Sequence, residues 1–91
     1  MNRITGDDIR RHVVEAISDL LVQMGSAPTV PEDSPIEALG LDSLAGVQFV
    51  CDIEDRLDIK IPTDINPFVD DSKKRLRRVS EVIAFVEQLV Q

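Results

Sequence analysis

Three prolines, Pro28, Pro31 and Pro35, fall inside one stretch of this 91-residue chain, and they constrain its fold more than anything else in it. Proline has no backbone N–H and its ring collides with the preceding turn, so no helix continues through residues 26–41. Helices must therefore stand on either side of a long loop. A loop of this length in a compact domain spans the packed elements or carries function. Its apolar residues Val30, Ile36, Leu39 and Leu41 imply packing across the helices.

Before the loop, Ile9, Val13, Ala16, Ile17, Leu20, Leu21 and Met24 recur at steps of three and four, with Asp8, Arg11, Glu15, Asp19 and Gln23 on the other side. That is the period of an amphipathic helix. Thr5 and Asp8 have the spacing of a capping box, and Gly25 supplies the stop. After the loop a second helix is expected from Ser43 to about Arg56, with Asp42 as its N-cap. This helix has more apolar residues than one face needs. Phe49, Val50, Ile53 and Leu57 form a stripe that reaches a core. Leu44, Val47 and Cys51 form another, rotated away from the first, which is either buried because the helix is central or a surface that waits for a partner.

The run "LDIKIP" alternates as a strand would, yet no second strand offers itself, so it reads as an extended connector whose Leu57, Ile59 and Ile61 seal the bundle. Residues 63–71 read as a short helical turn with Ile65, Phe68 and Val69 inward. "KKRLRR" sets five basic residues around Leu76. Such runs are mostly solvated; the alternatives are a partner interface or closure against the acidic loop. A last helix begins at Ser80, read as its N-cap, and buries Val82, Ile83, Val86, Leu89 and Val90. With three Phe and no Trp or Tyr, the core must be built from Leu, Ile and Val, which favours helices over a β-sandwich. The expected fold is all-α: a small helical bundle of three main helices plus a short third segment, with a long loop between the first two helices. Residues 1–91 are expected to form a single domain.

Seventeen acidic against ten basic residues give a net charge of −7, which opposes binding to nucleic acid and points to basic partners. Cys51 and His12 are each the only residue of their type, so neither an internal disulfide nor a Cys/His zinc site is expected, and no metal site at all. "MNRITGDDIRR" lacks the apolar run of a signal peptide, and no stretch approaches the roughly 18 apolar residues that span a bilayer. The expectation is a soluble, cytoplasmic monomer with no membrane partner.

Ser43, within "LGLDSL", stands at the start of the second helix. A nucleophilic serine needs a base held by a third group, and the one histidine lies on the polar side of the first helix. The Gly-x-Ser-x-Gly elbow and any Gly-rich phosphate loop are absent. Enzyme readings therefore fall. A serine used as a handle requires instead an exposed hydroxyl, a surface for the attaching enzyme and no catalytic apparatus. The amides and the positive end of the helix dipole would favour a phosphate ester on it.

"LGLDSLAGVQFVCDIEDRLDIKIP" resembles the acyl carrier proteins, whose Asp-Ser-Leu motif bears 4′-phosphopantetheine on the serine. The resemblance covers nearly the whole chain. It is carried by Leu-Gly before the motif, Val47 three residues after Leu44, the acidic Glu54 and Asp55, and Ile61-Pro62. It implies that Ser43 is the attachment point and that Asp42 assists recognition by a phosphopantetheinyl transferase. Leu44, Val47 and Cys51 would be apolar docking positions, while Glu54 and Asp55 would meet acyl-loading and synthase enzymes with basic patches, or form no more than a solvated helix face. Cargo would travel as a thioester on the arm. An aliphatic cargo would tuck between the second helix and residues 65–69, with Ile65 and Val69 beside it and Phe68 either as a movable wall or simply filling the core.

Some positions depart from that pattern. Gln48 replaces a usual glutamate and Ala45 a frequent acid, so the front of the docking helix is less negative. The segment from Pro62 to Val79 is several residues longer. The Val47-Gln48 pair also occurs in D-alanyl carrier proteins, whereas the Gly-Gly-x-Ser context of peptidyl carriers is absent. An aminoacyl carrier and an unmodified carrier-fold scaffold are the alternatives.

Overall fold

The computed structural model describes residues 5–90. The first helix, α1, spans Gly6–Gln23. Its start is fixed reciprocally: the Asp8 N–H donates to Thr5 Oγ1 and the Thr5 N–H to Asp8 Oδ2, each at 3.1 Å, which is the anticipated capping box. Its end is a Schellman motif, with Gly25 at φ +81°, the Gly25 N–H on the Val22 carbonyl and the Ser26 N–H on the Leu21 carbonyl. Met24, read as part of the apolar face, is instead exposed, because the helix has ended there.

The Pro-rich loop crosses the bundle, as its apolar residues implied. It includes a 3₁₀ turn at Ile36–Leu39, closed by Gly40 at φ +84°, and it buries Ile36 and Leu41. The second helix, α2, spans Ser43–Leu57. Its C-cap is Asp58 in the left-handed region, followed by the Ile59 N–H on the Glu54 carbonyl. The last helix, α3, spans Val79–Val90. Helix α1 packs against both α2 and α3. The core joins Val13, Ile17 and Leu21 from α1 to Phe49 and Ile53 from α2 and Val82 and Val86 from α3. Leu57 and Ile61 are buried at its edge and Ile59 packs half-buried beside them, so the connector seals the bundle as expected.

Residues 63–71 differ from the expected helical turn. The chain turns at 63–64 and 67–68 and then enters a two-stranded antiparallel hairpin, β1 (Val69–Asp70) and β2 (Arg75–Leu76), with Val69 opposite Leu76 and Asp70 opposite Arg75. The hairpin is pinned by Asp70, whose Oδ1 accepts from the Ser72 N–H, the Ser72 hydroxyl and the Lys73 N–H. These bonds hold the Asp70 carboxyl below its ordinary pKa, the Ser72 hydroxyl contributing most.

The basic run is correspondingly less solvated than its composition implies. Arg75 pairs with both carboxylate oxygens of Glu81 at 3.1 and 3.0 Å. Arg77 donates to the Pro67 and Val69 carbonyls at 3.1 and 2.8 Å and lies 4.2 Å over the Phe85 ring. Arg78 donates to the Asp33 carbonyl at 2.6 Å. Three of the five basic residues thus close the hairpin onto α3 and onto the acidic loop, while Lys73 and Lys74 remain exposed.

Helix α3 also starts one residue before the expected cap. The N–H groups of Val79 and Ser80 donate to the Ser34 and Glu32 carbonyls at 2.9 and 2.7 Å, so the loop's backbone serves its free amides. Glu81 Oε1 accepts the Arg78 N–H at 2.7 Å. Ser80 is therefore inside the helix. The ion pair with Arg75, then the Arg78 amide, hold the Glu81 carboxyl below its ordinary value of 4.5. A carboxyl depressed on folding contributes stability that is complete above its unfolded pKa and is lost as pH falls through the folded one. Wild-type Tm is therefore expected to fall on acidification below about pH 4.5, and Glu81→Gln to be less stable than wild type at pH 7 with a smaller acid slope. Parallel pH–Tm curves for the two proteins would remove Glu81 from this role.

Candidate functional site

Asp42, not Ser43, caps α2: its backbone is extended and its Oδ1 accepts the Ala45 N–H at 3.1 Å. Ser43 is the first residue of the helix and is exposed, and among the described residues nothing hydrogen-bonds its hydroxyl. The site therefore offers a free hydroxyl beside the positive end of the helix dipole. His12 offers it no base. The histidine lies 3.4 Å from Arg56, which sits on the last turn of α2, about 20 Å along the helix from Ser43.

The second apolar stripe of α2 faces outward. Leu44 is 75% and Val47 59% exposed, and Cys51 is exposed as well. An isolated leucine on a surface means little, but three apolar positions on consecutive turns form a contiguous face next to Ser43. Asp55 is exposed near the other end of the helix. Glu54, in contrast, is half-buried and turned to the connector, where its Oε2 accepts the Ile61 N–H at 2.7 Å. Much of its carboxylate is thus already used in holding residues 59–62 against the helix.

Between α2 and residues 61–66 lies an open cleft of about 420 Å³, lined among others by Gly46, Val47, Val50, Cys51 and Ile65. It lies beside the outward stripe, so Val47 and Cys51 belong to both. Of the three residues read as an acyl cleft, the structure brings only Ile65 to this wall. Phe68 is fully buried beneath it, its ring centroid 4.9 Å from that of Phe49. Val69 faces a different and smaller depression, beside Arg77 and Phe85.

Two features of the site escaped the sequence reading. Asn66 Nδ2 donates to the Ser43 carbonyl at 2.8 Å, while its Oδ1 accepts the Phe68 N–H at 3.0 Å. Gly46 makes room for that carboxamide, since a Cβ there would overlap it. A glycine in mid-helix is the signal that pointed to such a close approach. At the far end Arg56 clamps α2 to α1, reaching Glu15 and Asp19 at 2.9 Å each. Its Nε lies 3.1 Å from Asp52 Oδ2, near enough to pair by charge but off the line of a hydrogen bond.

Residues 11–65, which contain α2 and most of this site, match the family described as "Phosphopantetheine attachment site". The chain is 34% identical over 84 residues to an acyl carrier protein of Sulfurovum sp. (strain NBC37-1), covering 91% of this chain and 95% of that one. The chain belongs to the acyl carrier protein family. An acyl carrier protein of Campylobacter lari is 32% identical over 85 residues, 91% of this chain and 92% of its own. The meromycolate extension acyl carrier protein of Mycobacterium tuberculosis (strain ATCC 25618 / H37Rv) is 30% identical over 88 residues, 94% of this chain and 68% of its own. No solved structure matches significantly.

Membership makes this chain a carrier of covalent 4′-phosphopantetheine, which works with transferase and synthase enzymes. The residues at the head of α2 fit such a group. An exposed hydroxyl is available for esterification, and the dipole there favours the phosphate's charge.

Proposed function

We propose that Ser43 carries the 4′-phosphopantetheine and that the protein moves acyl intermediates as thioesters among enzymes of fatty acid, specialised lipid or polyketide synthesis. The observation that carries this reading is the division of labour at the head of α2. Asp42 performs the capping, so the Ser43 hydroxyl is exposed and free to become an ester without unmaking the helix start. The arm, when bound, supplies the thiol that holds cargo. Asp42 keeps the first turn wound under that load and offers its carboxylate surface to the transferase. Incubation with coenzyme A and a phosphopantetheinyl transferase tests the assignment: the intact mass rises by one arm, located on Ser43 by peptide mapping. A protein that stays unmodified would be a carrier-fold scaffold. The names of the relatives favour acyl cargo over aminoacyl cargo.

Docking uses the exposed face beside the arm. Leu44, Val47 and Cys51 supply apolar contact, and Asp55 with the general negative charge steers basic partners. Glu54 contributes less than its position implies, because it is bonded to Ile61. Val47→Asp is expected to weaken binding to the transferase by about tenfold or more, the size of a modest apolar hot spot. Its Tm should move little, because the side chain is mostly in solvent. Binding of the wild type should weaken as salt is added. A large loss of Tm in Val47→Asp would instead place this stripe in the core.

In this reading the cleft beside Val47 and Ile65 receives the aliphatic part of the cargo. Each methylene that leaves water gains about 0.8 kcal/mol, so a chain attached nearby is drawn to an apolar wall. Ile65 stands on that wall; Phe68 supports it from below.

A further inference from the structure

The cleft is bounded at both ends by a side chain that bridges α2 to the facing segment. At the far end Glu54 holds the Ile61 N–H. At the end nearest Ser43 the bridge is Asn66, which donates to the Ser43 carbonyl and accepts from the Phe68 N–H, with its carboxamide laid against the bare backbone of Gly46. The two bridges differ in kind. Glu54 holds the N–H of the buried Ile61 through a charged carboxylate, whereas Asn66 is half-buried and joins the helix through one neutral hydrogen bond. Pro67 and Phe68, immediately after it, are fully buried, so the segment is anchored behind Asn66, and only the amide end of the carboxamide needs to leave α2 while Oδ1 keeps the Phe68 N–H.

We propose that Asn66 is a positioning residue that controls entry of the cargo into the cleft: its carboxamide closes the end facing Ser43, and breaking its bond to the Ser43 carbonyl opens the direct route from the arm. This rests on attachment at Ser43. A short cargo stays outside a closed latch. A longer cargo gains enough apolar burial to displace one neutral hydrogen bond, worth about 0.5–1.5 kcal/mol net, because each methylene contributes about 0.8 kcal/mol. Asn66 therefore sets the chain length at which sheltering begins. Gly46 is part of the same device, since any larger residue would push the carboxamide off its seat.

The test uses the full chain loaded from acetyl- or octanoyl-coenzyme A and exposed to hydroxylamine. Hydroxylamine nitrogen attacks the thioester carbonyl, the C–S bond breaks, and the thiol departs with a proton as the hydroxamate forms. The readout is the ratio of octanoyl to acetyl cleavage rates. Asn66→Ala removes the latch. Asn66→Asp keeps its shape and its acceptor for Phe68 but cannot donate to the Ser43 carbonyl. Both are expected to lower the ratio about fivefold below wild type, the size of one neutral hydrogen bond. A ratio that stays at the wild-type value in folded variants overturns the proposal. The wild type gives an independent reading by NMR. The Asn66 side-chain amide signals should shift on octanoylation and not on acetylation, together with the Val50 and Ile65 methyls; Asn66 signals that stay silent while those methyls move would also overturn it. A chain that never accepts the arm would instead sink the assignment of Ser43, and is seen first, by mass.

Discussion

Ser43→Ala should gain no mass when incubated with coenzyme A and a phosphopantetheinyl transferase, under conditions that convert the wild type completely. This is the largest functional effect expected of any single substitution, because the hydroxyl oxygen is the atom to be esterified and no neighbour replaces it. Its structural cost is small. The cap bond of α2 comes from Asp42, the Ser43 side chain is exposed, and alanine is a better helix former than serine. An exposed substitution of this kind stays within about 0.5 kcal/mol, so Tm should move by no more than roughly 2–4 °C. A variant that is modified on another residue would move the attachment point. A variant that unfolds would show that the hydroxyl has a structural role that the geometry around Asp42 does not show. Asp42→Ala gives the complement: a lost N-cap costs about 1 kcal/mol, and the free hydroxyl of Ser43 remains.

The boundaries of α1 and α2 were legible because their signals are local. Thr5 and Asp8 stand three residues apart, Gly25 has a backbone conformation that other residues avoid, and Asp42 precedes an apolar period. The two stripes of α2 were legible for the same reason: one helix presents both, and a core needs only one. What the sequence hid depends on partners distant along the chain. The hairpin at 69–76 has strands of two residues each, too short to show a period of two. Arg77 and Arg78 bond backbone carbonyls, and every residue has a carbonyl, so nothing in the side chains marks the pairing. Ser80 has the chemistry of a cap, yet Glu32 and Ser34 supply their backbone carbonyls first. Glu54 read as a solvent-facing acid because the αL turn at Asp58, which swings Ile61 back to it, carries no glycine to announce it. Gly46 did carry a signal, but its counterpart Asn66 lies across the fold.

Phe68→Ala should be the most destabilising of the substitutions considered, at about 3–5 kcal/mol, a large share of what a domain of this size possesses. Phe68 is 0% exposed, and its ring is tilted 37° to that of Phe49 at 4.9 Å, a geometry worth about 0.5–1.5 kcal/mol beyond its buried area. The sequence has three Phe and no Trp or Tyr, so removing one of these rings leaves a cavity that Leu, Ile and Val neighbours fill incompletely. Thermal unfolding should report a Tm lower by at least about 12 °C. Phe68→Leu should lose less, because it keeps most of the volume. The functional consequence follows from position. The Phe68 N–H is held by Asn66, its carbonyl accepts the Arg77 N–H at 2.8 Å, and Ile65 on the cleft wall belongs to the same segment. The ring therefore anchors the cleft from beneath, and moving it would dismantle the wall. A loss below about 0.5 kcal/mol, the range of an ordinary surface change, would show that the ring yields easily and would restore it to the role of a movable wall.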